Sequence, residues 1–199
     1  MSLWQTIPGE TPVDPSYLKD RSITNRAELC KVEAINIRKA HAKYLISAPT
    51  KRRAPFDYKW LLSLHKEMYC KVWKWAGQPR QINLNIGVNW HLINEQIFAL
   101  TQDLPVWIES DIPILEQAVR LHHRAVNIHP FHNGNGRWAR LASNIWLKIH
   151  KTSIISWPEE VIGQESPIRN KYIKALRNAD EGNYNPLLVL HNQFQEEVE

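Results

Sequence analysis

His129-Pro130-Phe131-His132-Asn133-Gly134-Asn135-Gly136-Arg137-Trp138-Ala139-Arg140 carries the densest chemical signal in this 199-residue chain. Pro130 predicts that a helix stops before it, because the residue preceding a proline avoids the helical region. Gly134-Asn135-Gly136 reaches backbone conformations barred to bulkier residues and turns successive N–H groups toward one point. A helix starting there adds its positive end to the same point. Arg137 and Arg140, three apart, share one face of that helix's first turn. Two guanidinium groups beside an N–H nest predict a polyphosphate site. His129 stands at the mouth of the loop, and an imidazole of ordinary pKa near 6.5 suits a general base toward an incoming hydroxyl.

Working outward, the chain predicts a mainly helical bundle. Pro8, Pro12 and Pro15 make the first 21 residues an extended arm. Thr24 or Asn25 caps a helix to about Ala48, with Leu29, Val32, Ile35, Ile37, Ala40 and Tyr44 near helical spacing. A second helix runs from Asp57 to about Lys71, with Trp60, Leu61, Leu64, Met68 and Tyr69 inward. Ile82, Leu84, Ile86 and Val88 alternate between Gly77 and Trp90, which predicts a short β-hairpin flap. Further helices are expected at Asn94–Ile108, Pro113–Ile128, Asn135–Lys151, Pro167–Ala179 and from Pro186 to the end. Trp73, Trp75, Trp107, Trp138 and Trp146 read as core; Trp90 packs on the flap or stacks on a ligand.

With 43% hydrophobic residues the chain can bury a sizeable core, and no apolar run approaches the roughly 18 residues of a membrane helix. Cys30 and Cys70 have no disulfide or metal-like spacing and read as buried thiols, consistent with a cytoplasmic setting. The net charge of +5 suits a polyphosphate, a nucleic acid or an acidic protein face. Nucleic-acid binding rests on that charge alone, with no recognition-helix or aromatic stacking pattern behind it. His122, His123, His129 and His132 raise a zinc reading, but no acidic or cysteine ligand accompanies them.

The quoted stretch resembles the Fic family, whose motif is a His-Pro-Phe start, an acidic residue two positions after Phe, then Gly-Asn-Gly-Arg and a second Arg. The match falls on His129, Pro130, Phe131, Gly134, Asn135, Gly136, Arg137 and Arg140, with Leu121–Ile128 and Trp75-Ala76-Gly77 also similar. The likeness covers about Asp57–Lys151. Length, the Pro-rich start and Ile23–Leu29 resemble the bacterial branch called mobile mystery protein B.

The resemblance implies an all-α Fic fold with a hairpin flap, in which 1–56 are an arm and a candidate inhibitory helix, 57–151 the catalytic core, and 152–199 helices completing the same domain. It implies transfer of AMP from ATP to a hydroxyl of a protein target, with Mg²⁺. His129 would be the base, Phe131 a core anchor, and Gly134, Asn135 and Gly136 the anion loop. Arg137 and Arg140 would hold the β- and γ-phosphates, and the flap would register the target as an added strand. A regulatory or antitoxin-like partner belongs to the same expectation.

One position departs from the motif: Asn133 stands where the family has the acidic metal ligand, which removes charge attraction for Mg²⁺. The family's inhibitory Ser/Thr-x-x-x-Glu pattern has three spacing matches: Thr24–Glu28, Ser63–Glu67 and Ser156–Glu160. Position before the core selects Glu28 as the inhibitory residue. Alternative readings are a weakly active or inactive nucleotide-binding, toxin-like interaction protein, supported by Asn133, or transfer of another phosphate-linked group such as UMP or phosphate.

Overall fold

The computed structural model describes residue 4 and residues 11–47, 49–158, 162 and 165–196. Among them are seven α-helices: α1 Arg26–His41, α2 Tyr58–Tyr69, α3 Ile93–Glu109, α4 Ile114–Ile128, α5 Asn135–Ile149, α6 Pro167–Asp180 and α7 Asn185–Gln193. Polar caps set several starts. Asn25 accepts from Glu28 N, Asp57 from Trp60 N, and Ser166 from Arg169 N with Pro167 in the first turn. Each satisfies an N–H that the helix itself leaves unpaired. After His41 the first helix widens into a π-turn at Ala42–Ile46, close to its expected end.

The centre is the α4–α5 pair, joined by the quoted loop. Ala118, Ala125, Ala139 and Ala142 are fully buried, and Ser143 Oγ donates to the Ala118 carbonyl at 2.9 Å. Small side chains and a direct inter-helix hydrogen bond let the two axes approach closely. Leu61, Leu64, Met68, Ile97, Leu100, Leu141 and Ile145 fill the space between this pair, α2 and α3. Truncating one such side chain to Ala removes about 2–5 kcal/mol. A second cluster of Val119, Ile162, Tyr172, Ala175, Ala179, Leu187 and Leu190 docks α6 and α7 against α4.

Three expectations are corrected. Residues 82–88 form bends with no strand, and among the described residues only isolated bridges occur, Leu18–Trp73 and Ile155–Gln195. The Arg80 guanidinium takes the Ile82 and Val88 carbonyls that a hairpin ladder would use, and Ile82 stays 53% exposed with no sheet beneath it. Cys30 is exposed rather than buried, while Cys70 is half-buried. In α1 the buried stripe is Leu29, Glu33, Asn36 and Ala40, so Ile35 points to solvent. Pro8, Glu160 and the last three residues lie outside the described residues.

Candidate functional site

Helix α4 stops at Ile128, and His129 adopts the left-handed conformation, φ 50°. This is uncommon for a side-chain-bearing residue and is held only where its surroundings over-determine it. Arg80 supplies that constraint. Its Nε donates to the His129 carbonyl at 2.8 Å, and its own backbone N–H donates to the Pro130 carbonyl at 2.8 Å. Its Nη1 and Nη2 reach the Ile82 and Val88 carbonyls at 2.6 and 2.5 Å. One buried side chain therefore fixes both the flap segment and the histidine. Gly87, φ 93°, lies against His129, where a Cβ would come within 2.5 Å of the imidazole's Cβ.

The loop that follows is closed from within. Asn135 Oδ1 accepts from Phe131 N at 2.9 Å, and its Nδ2 donates to the Phe131 carbonyl at 2.8 Å. The Asn135 side chain thus closes the loop on Phe131. Gly134, φ 80°, caps α5; a Cβ there would sit 2.5 Å from the Tyr69 ring. His65 lies flat on Phe131, with ring centroids 3.6 Å apart. Gly77 N donates to His65 Nδ1 at 3.0 Å, so Nε2 carries the proton and donates to the Asn133 carbonyl at 3.1 Å. Burial drives the His65 pKa to about 3, which keeps it neutral for this bridging role.

The two arginines of α5 have different partners. Arg137 Nη1 donates to Glu33 Oε2 at 2.8 Å and lies over the Tyr69 ring. Glu33 is almost fully buried and also accepts from Trp73 Nε1 at 2.6 Å. Arg140, likewise buried, donates from Nη1 to the Tyr172 hydroxyl at 3.5 Å. Behind Tyr172 runs a directed chain. The Leu187 carbonyl can only accept, so His191 Nδ1 donates to it at 2.8 Å and His191 Nε2 is an acceptor. His122 Nδ1 then donates to His191 Nε2 at 3.1 Å, and His122 Nε2 accepts from the Tyr172 hydroxyl at 2.9 Å. Burial lowers His191 to about 4 and pushes His122 well below its usual value.

The histidines that suggested a metal go to separate partners: His122 to this chain, His123 to Asp180 at 2.8 Å, and His132 to stacking with Tyr17. Burial pushes the His129 imidazole down to about 4; the charge of Arg80 adds to the fall and the Val126 carbonyl opposes it. His129 is therefore neutral at pH 7 and able to accept a proton, with its Nε2 3.4 Å from the Thr11 hydroxyl.

Asn133 Oδ1 accepts from Gly134 N at 2.6 Å, and its amide donates to the Thr11 carbonyl at 3.4 Å. No group of three or more His, Cys, Asp or Glu side chains among the described residues could hold a metal. The donor set is thus no protein-built Mg²⁺ cage. Glu28 is not brought to Arg140. It lies exposed at the start of α1, where its carboxylate accepts from Thr24 N at 2.9 Å, and Glu33 on the buried stripe reaches Arg137 instead. Of the other spacing matches, Glu67 pairs with Lys43 at 2.7 Å.

Sequence reasoning missed Glu33, Arg80, His65 and Tyr172. The 29–33–36–40 spacing carries the signal for Glu33, and the 61–64–65–68 spacing carries it for His65. Arg80 and Tyr172 have no local sequence signal, because their partners are backbone carbonyls and a distant helix.

Residues 55–147 match the Fic/DOC family. A protein adenylyltransferase Fic of Culex quinquefasciatus is 33% identical over 154 residues, covering 75% of this chain and 29% of that relative. The one of Drosophila yakuba is 27% identical over 148 residues, 72% of this chain and 28% of the relative. The matches therefore span under a third of these relatives' length. Among solved structures, the BepC effector of Bartonella tribocorum with bound AMPPNP superposes with TM-score 0.68 at 16% identity, covering 97% of this chain and 96% of that one. An N-terminal Fic domain of Bartonella quintana with bound ADP gives TM-score 0.65 at 16% identity, covering 96% and 94%. No helix among the described residues is long and apolar enough to cross a membrane. Residues 55–147, which hold the His129–Arg140 loop, thus match the Fic/DOC family, on a helical fold like that of these solved structures.

Proposed function

We propose that this chain transfers AMP from ATP to a hydroxyl side chain of a protein target. The observation that carries the reading is the juxtaposition of a neutral His129 with the left-handed Gly134 turn and the Arg137–Arg140 face of α5. The N–H groups of Asn135 and Gly136 and the two guanidinium groups bind and orient the triphosphate, joined by that of Gly134 once it exchanges Asn133 Oδ1 for a phosphate oxygen. Helix α5 directs its positive end at the same anion. His129 Nε2 takes the proton of the attacking hydroxyl. A base with pKa near 4 is weak, and the anionic phosphates of bound ATP raise it toward the working range.

The target segment lies along 82–88, whose two ends Arg80 holds and where Ile82 and Ile86 are exposed. Asn133 is the motif side chain that would hold Mg²⁺ beside the nucleotide's phosphates, where the ion would offset their negative charge. The three stretches 1–56, 57–151 and 152–199 act as one domain, with arm and α1 laid on the catalytic core. The two unpaired thiols suit a cytoplasmic setting, and the Pro-rich arm with Ile23–Leu29 supports the mobile mystery protein B branch. A regulatory partner would act where Glu33 meets Arg137. The reading of an inactive docking module draws on Asn133 alone, and the neutral His129 beside an ordered anion loop favours an enzyme.

The test is incubation of the pure chain and a bacterial lysate with α-labelled ATP and Mg²⁺ or Mn²⁺. His129-dependent labelling of protein is expected. Absence of label from every protein at saturating metal, or equal labelling by His129→Ala, overturns the reading.

A further inference from the structure

The N-terminal arm is fastened across the motif. Leu18 bridges Trp73, Lys19 N donates to the Val72 carbonyl at 2.9 Å, and Lys74 N donates to the Tyr17 carbonyl at 3.1 Å. Tyr17 stacks on His132, with centroids 5.7 Å apart. This anchoring brings Thr11, only 7% exposed, onto the catalytic loop. Its carbonyl accepts from Asn133 Nδ2 and its hydroxyl lies 3.4 Å from His129 Nε2. In the neutral tautomer with its proton on Nδ1, Nε2 is the acceptor and the Thr11 hydroxyl the donor.

That is the arrangement a general base needs with its nucleophile. Ser22 Oγ donates to Asp20, and Thr24 Oγ1 to Glu28. Thr11 is the arm residue placed on the base.

We propose that Thr11 is a self-modification site, at which the chain transfers AMP to its own hydroxyl. The inference rests on the AMP-transfer reading and names an acceptor for it. Thr11 Oγ1 attacks the α-phosphorus of ATP. The Oγ1–P bond forms, the bond from that phosphorus to the oxygen bridging to the β-phosphate breaks, and pyrophosphate departs. The hydroxyl proton passes to His129 Nε2. Because the acceptor is tethered, the reaction is first order in chain and gains the high effective concentration of an intramolecular step.

The experiment uses the full chain with α-labelled ATP, a lysate as a source of other acceptors, and fragmentation mass spectrometry of the Met1–Lys19 peptide. One added AMP located on Thr11 is expected, at a rate unchanged when the chain is diluted about tenfold. The label is lost from this position in Thr11→Val, kept in Thr11→Ser, and absent in His129→Ala. Self-labelling located elsewhere, or undiminished in Thr11→Val, overturns the inference. Label on lysate proteins with Thr11 bare overturns it while leaving the AMP-transfer reading in place. No label on any protein, the chain included, overturns both.

Discussion

Glu33 accepts a hydrogen bond from Arg137 at 2.8 Å from within the core, so a carboxylate already occupies one of the two guanidinium groups at the start of α5. In the proposed reaction an incoming phosphate would compete with it. Replacing Glu33 by Gln keeps an acceptor for Trp73 Nε1 but removes the charge. The KM for ATP should fall by about tenfold, a change of about 1.4 kcal/mol. A rise in KM would instead mean that Glu33 orients Arg137 for the nucleotide, and steady-state kinetics of the pair separates the two.

Arg80 donates to three carbonyls from two segments, at His129, Ile82 and Val88. A lysine has the charge without the planar fork and cannot serve all three. Arg80→Lys should lose about 3 kcal/mol of stability in denaturant unfolding, since charged hydrogen bonds contribute about 1.5–3 kcal/mol each. Transfer should fall by about a hundredfold because His129 is no longer held in place. An equally stable Lys variant would remove Arg80 from this positioning role.

Tyr172→Phe deletes the one hydroxyl that joins Arg140 to His122. His122 Nε2 is left without its donor, which should lower stability by about 1–3 kcal/mol. The KM for ATP should rise by about fivefold while kcat changes less, because Arg140 loses orientation and His129 is untouched. A fall in kcat at constant KM would place Tyr172 elsewhere in the reaction.

Four buried histidines give the chain a predictable acid response. Folding depresses His65 to about 3, His129 and His191 to about 4, and His122 in the same direction. An unfolded histidine titrates near 6.5, so below that pH the unfolded chain binds more protons than the folded one. The stability these neutral rings confer is complete above about pH 6.5 and is lost as pH falls toward 4. Each histidine contributes a slope of up to about 1.4 kcal/mol per pH unit. Thermal unfolding should show Tm dropping across this window, and His191→Gln should make the drop shallower. A Tm flat from pH 7 to 5 would contradict the neutral-histidine assignment.

Asn133→Asp adds charge where the motif usually has it. The metal concentration for half-maximal labelling should fall, and the two titration curves should converge at high Mg²⁺. Curves that coincide at every concentration would take residue 133 out of the metal's surroundings.

Most of the helical frame was legible because it rests on local rules. Pro130 ended α4, Asp57 capped α2, and the glycine turn started α5 at Asn135. The flap was misread because alternation at Ile82, Leu84, Ile86 and Val88 signals a strand only when a neighbouring strand pairs with it, and Arg80 supplies the partners instead. Glu28 was selected by a short spacing pattern that also describes a helix cap, and capping is what its carboxylate does. Glu33 is a charged residue on a buried stripe, and only the tertiary pairing with Arg137 and Trp73 makes that position tolerable. Thr11 reached the site through contacts of the arm with residues some sixty positions away, beyond any local pattern.

The chain of donors from Arg140 through Tyr172, His122 and His191 ends on the Leu187 carbonyl, so it starts in the motif helix and finishes in α7. Docking of α6 and α7 and occupation of Arg140 by an anion should therefore be linked equilibria. Linkage is reciprocal: a ligand that favours the docked helices is favoured by them to the same degree. An anion at Arg140 should slow amide exchange in α7, more than 40 residues along the chain. A binder seated on the exposed Val189 face of that helix should in turn change the anion's affinity without touching it.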